Sequence, residues 1–151
     1  MIITTHSHWD HVRALAETKA ATGARTAAGA PDTADIEVPT DVPLSHGDVL
    51  DFDGFDLEVI ALRGHTPGSV ALALRPAGER TAVQLFTGDC LFPGGPGRTT
   101  TPEEFDSLMT GLESRVFDVY GDETVVYPGH GDDTTLGEER PRLAEWRERG
   151  W

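Results

Sequence analysis

Apolar positions change period several times along the chain, and each change predicts an element. Ile2–Thr5 is a short β-branched run and reads as a strand. Over Asp10–Thr22, Val12, Leu15, Ala16 and Ala20 share one face of a helix, with Gly23 as its stop. Ala24–Pro43, rich in Ala, Pro, Thr and Asp, reads as the most loop-like stretch. Val49–Phe52 and Phe55–Leu62 flank Asp53-Gly54, a two-residue hairpin signal. In the second of these, Phe55, Leu57, Val59 and Ala61 alternate inward against Asp56 and Glu58 outward. Ser69–Leu74 and Ala82–Thr87 read as two further strands around a turn at Pro76–Gly78.

The clearest helix is Pro102–Val116. Thr101 caps it, Pro102 occupies the first helical position, and Glu104 completes a Thr-x-x-Glu capping box. Phe105, Leu108, Met109, Leu112 and Val116 form its apolar stripe. Thr124–Tyr127 follows as a strand. Glu138–Arg149, which contains Pro141 and charges of both signs, reads as a terminal helix with a solvated face. Helices interrupt a majority of strands, so the class is a layered α/β fold.

Composition narrows the function. The 151 residues suit one domain spanning 1–151. Lys and Arg number 12 against 26 Asp and Glu, a net charge of −14, which argues against a nucleic-acid partner. The longest apolar run, Val70–Leu74, falls far short of the ~20 residues of a membrane span. No basic patch and apolar core mark a secretory signal over Met1–Asp10, so a cytoplasmic location is expected. The single cysteine, Cys90, excludes an internal disulfide and any multi-cysteine zinc knot.

Candidate chemistry gathers at four points. Thr5-His6-Ser7-His8-Trp9-Asp10-His11 packs four potential ligands just after a strand. Alternation puts His6 and His8 on one side, with Asp10 and His11 displaced along the same rim, a spread that suits two adjacent cations better than one. Gly64-His65-Thr66-Pro67-Gly68, Thr87-Gly88-Asp89-Cys90 and Pro128-Gly129-His130-Gly131 each follow an apolar run and offer one His or Asp at a strand exit. Histidine and carboxylate donors suit Zn²⁺, and also Fe²⁺ or Mn²⁺. Water shared by two such ions is deprotonated near neutral pH, so the nucleophile need not be Ser or Cys.

These segments, in this order and with these gaps, resemble the metallo-β-lactamase-fold hydrolases. The resemblance runs from the first strand to Gly137, including Thr134-Thr135-Leu136-Gly137. It implies an αββα sandwich. It also implies that His6, His8 and His65 hold one divalent metal ion and Asp10, His11 and His130 a second, with Asp89 bridging both. Asp10 or Asp89 would then shuttle the proton to the leaving group. The family places β-hairpins ahead of the first histidine cluster, whereas here that cluster begins at His6. The sandwich is therefore expected to be truncated at its N-terminus, with an unpaired edge at Ile2–Thr5 that invites self-association.

Within the family, β-lactamases commonly carry a cysteine ligand where this chain has Asp89. Cys90 is adjacent and is expected to face the core. Leu91-Phe92-Pro93-Gly94-Gly95-Pro96-Gly97-Arg98 resembles a loop of hydroxyacylglutathione hydrolases (glyoxalase II) and of persulfide dioxygenases, and Arg98 is a candidate for meeting a substrate carboxylate. The chain ends soon after His130, without the glyoxalase's basic C-terminal region. The implied function is a glyoxalase II-like hydrolase of a small ester, thioester or lactone. The alternatives are an iron-dependent persulfide dioxygenase and a catalytically inactive truncated fragment. Of the remaining polar and aromatic residues, His46 reads as a solvated turn residue. Trp9, Trp146 and Trp151 are expected to pack against the body, and Thr66 and Ser69 to brace the loop around His65.

Overall fold

The computed structural model describes residues 1–75 and 83–150. The expected turn at Pro76–Gly78, residue Ala82 and Trp151 lie outside them. Strand β1 (Ile2–Thr4) leads into helices α1 (Trp9–Val12) and α2 (Leu15–Thr22), then strands β2 (Thr26–Gly29) and β3 (Val42–Leu44). A meander follows, built from β4 (Val49–Phe52), β5 (Phe55–Ala61), β6 (Val70–Arg75) and β7 (Gln84–Gly88). After the short strands β8 (Leu91–Phe92) and β9 (Gly95–Pro96) come α3 (Pro102–Leu112), β10 (Val125–Pro128), β11 (Thr134–Thr135), α4 (Leu136–Glu139) and α5 (Leu143–Arg149).

Two sheets stack between helices. The first is parallel and three-stranded, ordered β1-β2-β3. The second is six-stranded, ordered β11-β10-β7-β6-β5-β4. Its meander is antiparallel, but β7 and β10 run parallel, so α3 is the crossover between them. Apolar clusters fall into three planes. Leu15, Ala28 and Ile36 lie between α2 and the first sheet. Ala27, Leu44, Val59, Val70 and Leu72 lie between the sheets. Ile60, Ala71, Ala73 and Leu85 meet Phe105, Leu108, Met109, Leu112 and Trp146 beneath α3 and α5. Adjacent residues Val59 and Ile60 thus face opposite layers, the period-2 rule applied to a strand covered on both sides. The result is the expected α/β architecture with an αββα layer order.

Several expectations shift in detail. Ala24–Pro43 is no simple loop, because Thr26–Gly29 is wholly buried as the middle strand of the first sheet. Its Thr-Ala-Ala-Gly sequence is small enough for close layers and too weakly apolar to announce a strand. The first helix breaks after Val12, and of its predicted face only Leu15 is buried while Ala16 and Ala20 are exposed. The Asp53-Gly54 hairpin forms with Phe52 opposite Phe55 and Gly54 at φ +103, a backbone conformation natural to glycine. Phe55 does not face inward as the alternation suggested. It is 42% exposed and stacks on Phe52 at the sheet's edge.

The capping box of α3 is present with both reciprocal hydrogen bonds, and its stripe is buried as read. The helix runs on through a π turn over Glu113–Phe117. The C-terminal helical segment starts at Leu136 and bends through a 3₁₀ turn at Pro141. It is more than a solvated face, since Trp146 is fully buried and Glu139 accepts from the Gly94 backbone N–H (2.9 Å) and Thr134 Oγ1 (2.8 Å). Along the opposite flank, β1 pairs only with β2 among the described residues.

Candidate metal centre

The cluster is built at strand exits. β1 ends at Thr4, and the chain turns so that His8 precedes α1 while Asp10 and His11 lie on it. The loop between β5 and β6 brings in His65. Asp89 follows β7, and His130 follows β10. Because β7 and β10 are neighbouring parallel strands, their C-terminal ends open at the same rim.

The seven histidines and carboxylates expected as metal ligands, His6, His8, Asp10, His11, His65, Asp89 and His130, converge here. Three overlapping groups have donor atoms within 4.8 Å of one another: His6, His8 and His65; His6, His11 and Asp89; Asp10, His11 and His130. Asp89 sits centrally, with Oδ1 3.3 Å from His11 Nε2, and Oδ2 3.8 Å from His65 Nε2 and 3.6 Å from His130 Nε2. Asp10 Oδ2 lies 3.0 Å from His130 Nε2. His11 Nε2 and His130 Nε2 are 3.1 Å apart. Depth is graded: His6 forms the floor at 1% exposure, while His8, Asp10 and His130 form an open rim.

Orientation is set from behind the rings. His65 Nδ1–H donates to the Arg98 carbonyl (2.7 Å), which leaves the Nε2 lone pair facing the cluster. The Thr5 hydroxyl and His6 Nδ1 lie 3.1 Å apart. Among the described residues, His6 Nε2, His65 Nε2 and Asp89 Oδ1 are buried without a hydrogen-bond partner. Orphaned buried acceptors of this kind are costly, and inward-facing imidazole and carboxylate donors suit a divalent cation. Burial, followed by the charges of His11, His65 and His8, lowers the His6 pKa to about 3. Burial also lowers that of His65. Both rings are thus held neutral, the state that ligates.

Glycine is required at Gly129, where a Cβ would collide with Asp89 Oδ1 and His11 Cε1. Cys90 faces the core as expected, with its Sγ–H toward the Leu62 carbonyl, and burial pushes its thiol up to about 12. Thr66 and Ser69 brace the His65 loop through a 2.6 Å contact between their hydroxyls. His46 is an exposed turn residue. Trp9 departs from expectation, being 69% exposed with the Arg13 guanidinium over its ring. The chain has left the extended conformation by that point, so alternation no longer directs the ring inward. Arg98 is exposed and contributes its carbonyl to His65, and it lines a cavity of about 340 Å³ with Phe92 and Arg149.

Sequence reasoning missed Asp32. It is fully buried and accepts from the Ser7 backbone N–H (2.8 Å) and Thr66 Oγ1 (2.7 Å) through Oδ2, and from the Gly68 backbone N–H (2.5 Å) through Oδ1. One carboxylate therefore ties the His6–His8 turn to the His65 loop. Its sequence context, Ala-Pro-Asp, looked like surface loop, and only the packing of the 3₁₀ turn Ala30–Asp32 under Gly68 exposes its role.

A βαβ unit bearing aspartate and histidine at its strand exits, within an αββα sandwich, defines a class of proteins. Residues 2–130 match the sequence model of the metallo-beta-lactamase superfamily, and the chain belongs to that family. It is 36% identical over 95 residues to the hydroxyacylglutathione hydrolase GloC of Haemophilus influenzae, a match covering 62% of this chain and 42% of the relative. To the hydroxyacylglutathione hydrolase of Rhodobacter capsulatus it is 39% identical over 110 residues, covering 71% and 41% respectively. Against these curated relatives, then, the chain spans about two fifths of their length. The crystal structure of TTHA1623 in a di-iron-bound form superposes with a TM-score of 0.70 at 32% identity, covering 92% of this chain and 73% of that one. No helix among the described residues is long and apolar enough to cross a membrane.

Proposed function

We propose that the protein is a dinuclear metal-dependent hydrolase acting on a small ester, thioester or lactone. The observation that carries this reading is the overlap of the three donor groups: His6 and His11 are each shared between two of them, and Asp89 faces both ends. His6, His8 and His65 would hold one cation and Asp10, His11 and His130 the other, with Asp89 between them. Zinc suits these donors best, and iron and manganese are compatible with them. When bound, such ions acidify a water and polarise a carbonyl.

The residues supply the rest. Buried, neutral His6 would hold a bound cation from the floor of the site. Asp10, 47% exposed and 3.0 Å from His130, is the carboxylate able to take a proton from the site and pass it toward a leaving group at the rim. Asp89, only 13% exposed, sits among the imidazoles of His11, His65 and His130. The similarity to hydroxyacylglutathione hydrolases supports a thioester as the first substrate to try.

Elemental analysis of purified protein should find close to two transition-metal equivalents, with marked loss in Asp89→Ala and in His65→Ala. A panel of thioesters, lactones and phosphodiesters should then show metal-dependent cleavage of the first or second class. Oxygen uptake on glutathione persulfide, with iron as the only bound metal, would replace the hydrolase reading with a dioxygenase. Folded parent protein that takes up no metal would identify an inactive fragment.

A further inference from the structure

A cavity of about 340 Å³ lies between the end of β3 and the loops flanking β5 and β6, apart from the imidazole cluster. Ser45 and His46 line it from the first sheet, Arg63 and Ser69 from the second, and Arg115 from the π turn after α3. None of its lining residues is acidic, in a chain where acids outnumber bases 26 to 12. Arg115 is anchored by a bond from Nη1 to the Ala61 carbonyl (2.6 Å). Among the described residues, neither Arg63 nor Arg115 has a carboxylate partner, although five other basic side chains, Lys19, Arg75, Arg140, Arg147 and Arg149, form ion pairs with acids.

Asp32 and Asp48 lie against the lining and are engaged by it, accepting from the Gly68 N–H (2.5 Å) and the Ser45 N–H (2.7 Å). Glu103, Glu104 and Asp106 share neighbouring depressions with Arg63. Yet Glu104 accepts from Thr100 and Thr101, and Asp106 pairs with Arg147. Two arginines lining one cavity, with no acid in that lining, suit an oxyanion carrying two charges and several acceptor atoms. The apolar flank formed by Leu44 and Val70 leaves room for a small organic substituent on that anion.

We propose that this cavity binds inorganic phosphate or a small phosphate monoester, and that Arg63 and Arg115 are its principal contacts. The site is independent of the hydrolase reading. Inorganic phosphate, and separately methylphosphonate as an uncleavable monoester analogue, would be titrated into ¹⁵N-labelled protein at constant ionic strength. The amide resonances of Ser45, His46, Arg63 and Ser69 should move saturably, whereas acetate at equal concentration should barely move them. Arg63→Gln, at an exposed position that leaves the fold intact, should raise Kd about tenfold, and Arg63→Lys should recover part of the loss. Equal affinity in Arg63→Gln, equal response to acetate, movement confined to residues 8–11 and 130, or no saturable movement would each overturn the proposal.

Discussion

Asp32 shows how much of the centre depends on a side chain that never points into it. All its partners donate, so an amide in either orientation would set an N–H against a backbone N–H. Asp32→Asn is therefore expected to cost about 2–3 kcal/mol of stability and to weaken metal binding some tenfold or more. Urea unfolding and a zinc competition titration would check the two effects. His6 offers a second test. Its pKa is about 3 when folded against an ordinary 6.5, so the unfolded chain binds the proton more readily between those values. Stability of cation-free protein is fully present above about pH 6.5 and is lost as pH falls toward 3. Unfolding midpoints between about pH 7 and pH 4.5, above the carboxylate range, should decline with acidification, and His6→Gln should flatten the decline.

At the level of elements, α3 matters to the site beyond its role as a crossover. Gly64, beside His65, lies so close to α3 that a Cβ there would collide with the Glu104 carbonyl and Leu108. The cap at Thr101 thus secures the surface against which the His65 loop rests. Thr101→Ala should cost about 1 kcal/mol, read from the shift in urea midpoint. Elements were legible where one residue pattern dictates one backbone: the Asp53-Gly54 hairpin, the capping box, the apolar stripe of α3. They were illegible where burial comes from small residues, as in Thr26–Gly29, or where a turn redirects a side chain, as at Trp9. The ligand-type residues were visible because glycine-flanked His and Asp recur at strand exits. Asp32 was invisible because its partners, two backbone N–H groups and the Thr66 hydroxyl, lie far from it in sequence.

For the molecule as a whole, the outer edge of β1 and the face beside it stand out. Phe86, 37% exposed, stacks on Tyr127 next to a depression that Ile3 and Thr4 also line. Among the described residues that edge is unpaired, and beside the exposed Phe86 ring it would favour pairing between copies, while a net charge of −14 would oppose it. Self-association should therefore increase with salt as repulsion is screened, and light scattering at low and high ionic strength would measure it. A constant monomer mass across that range would rule it out.

The bond from His65 to the carbonyl of residue 98 carries an evolutionary consequence. Any amino acid supplies a main-chain oxygen, so drift can rewrite the side chain at that position without disturbing the imidazole it steers. Loop length enjoys no such freedom. An insertion or deletion between β9 and α3 that carried the oxygen away would release the ring. The side chain of residue 98 is thus free to diversify, while the route of the chain past it stays under selection.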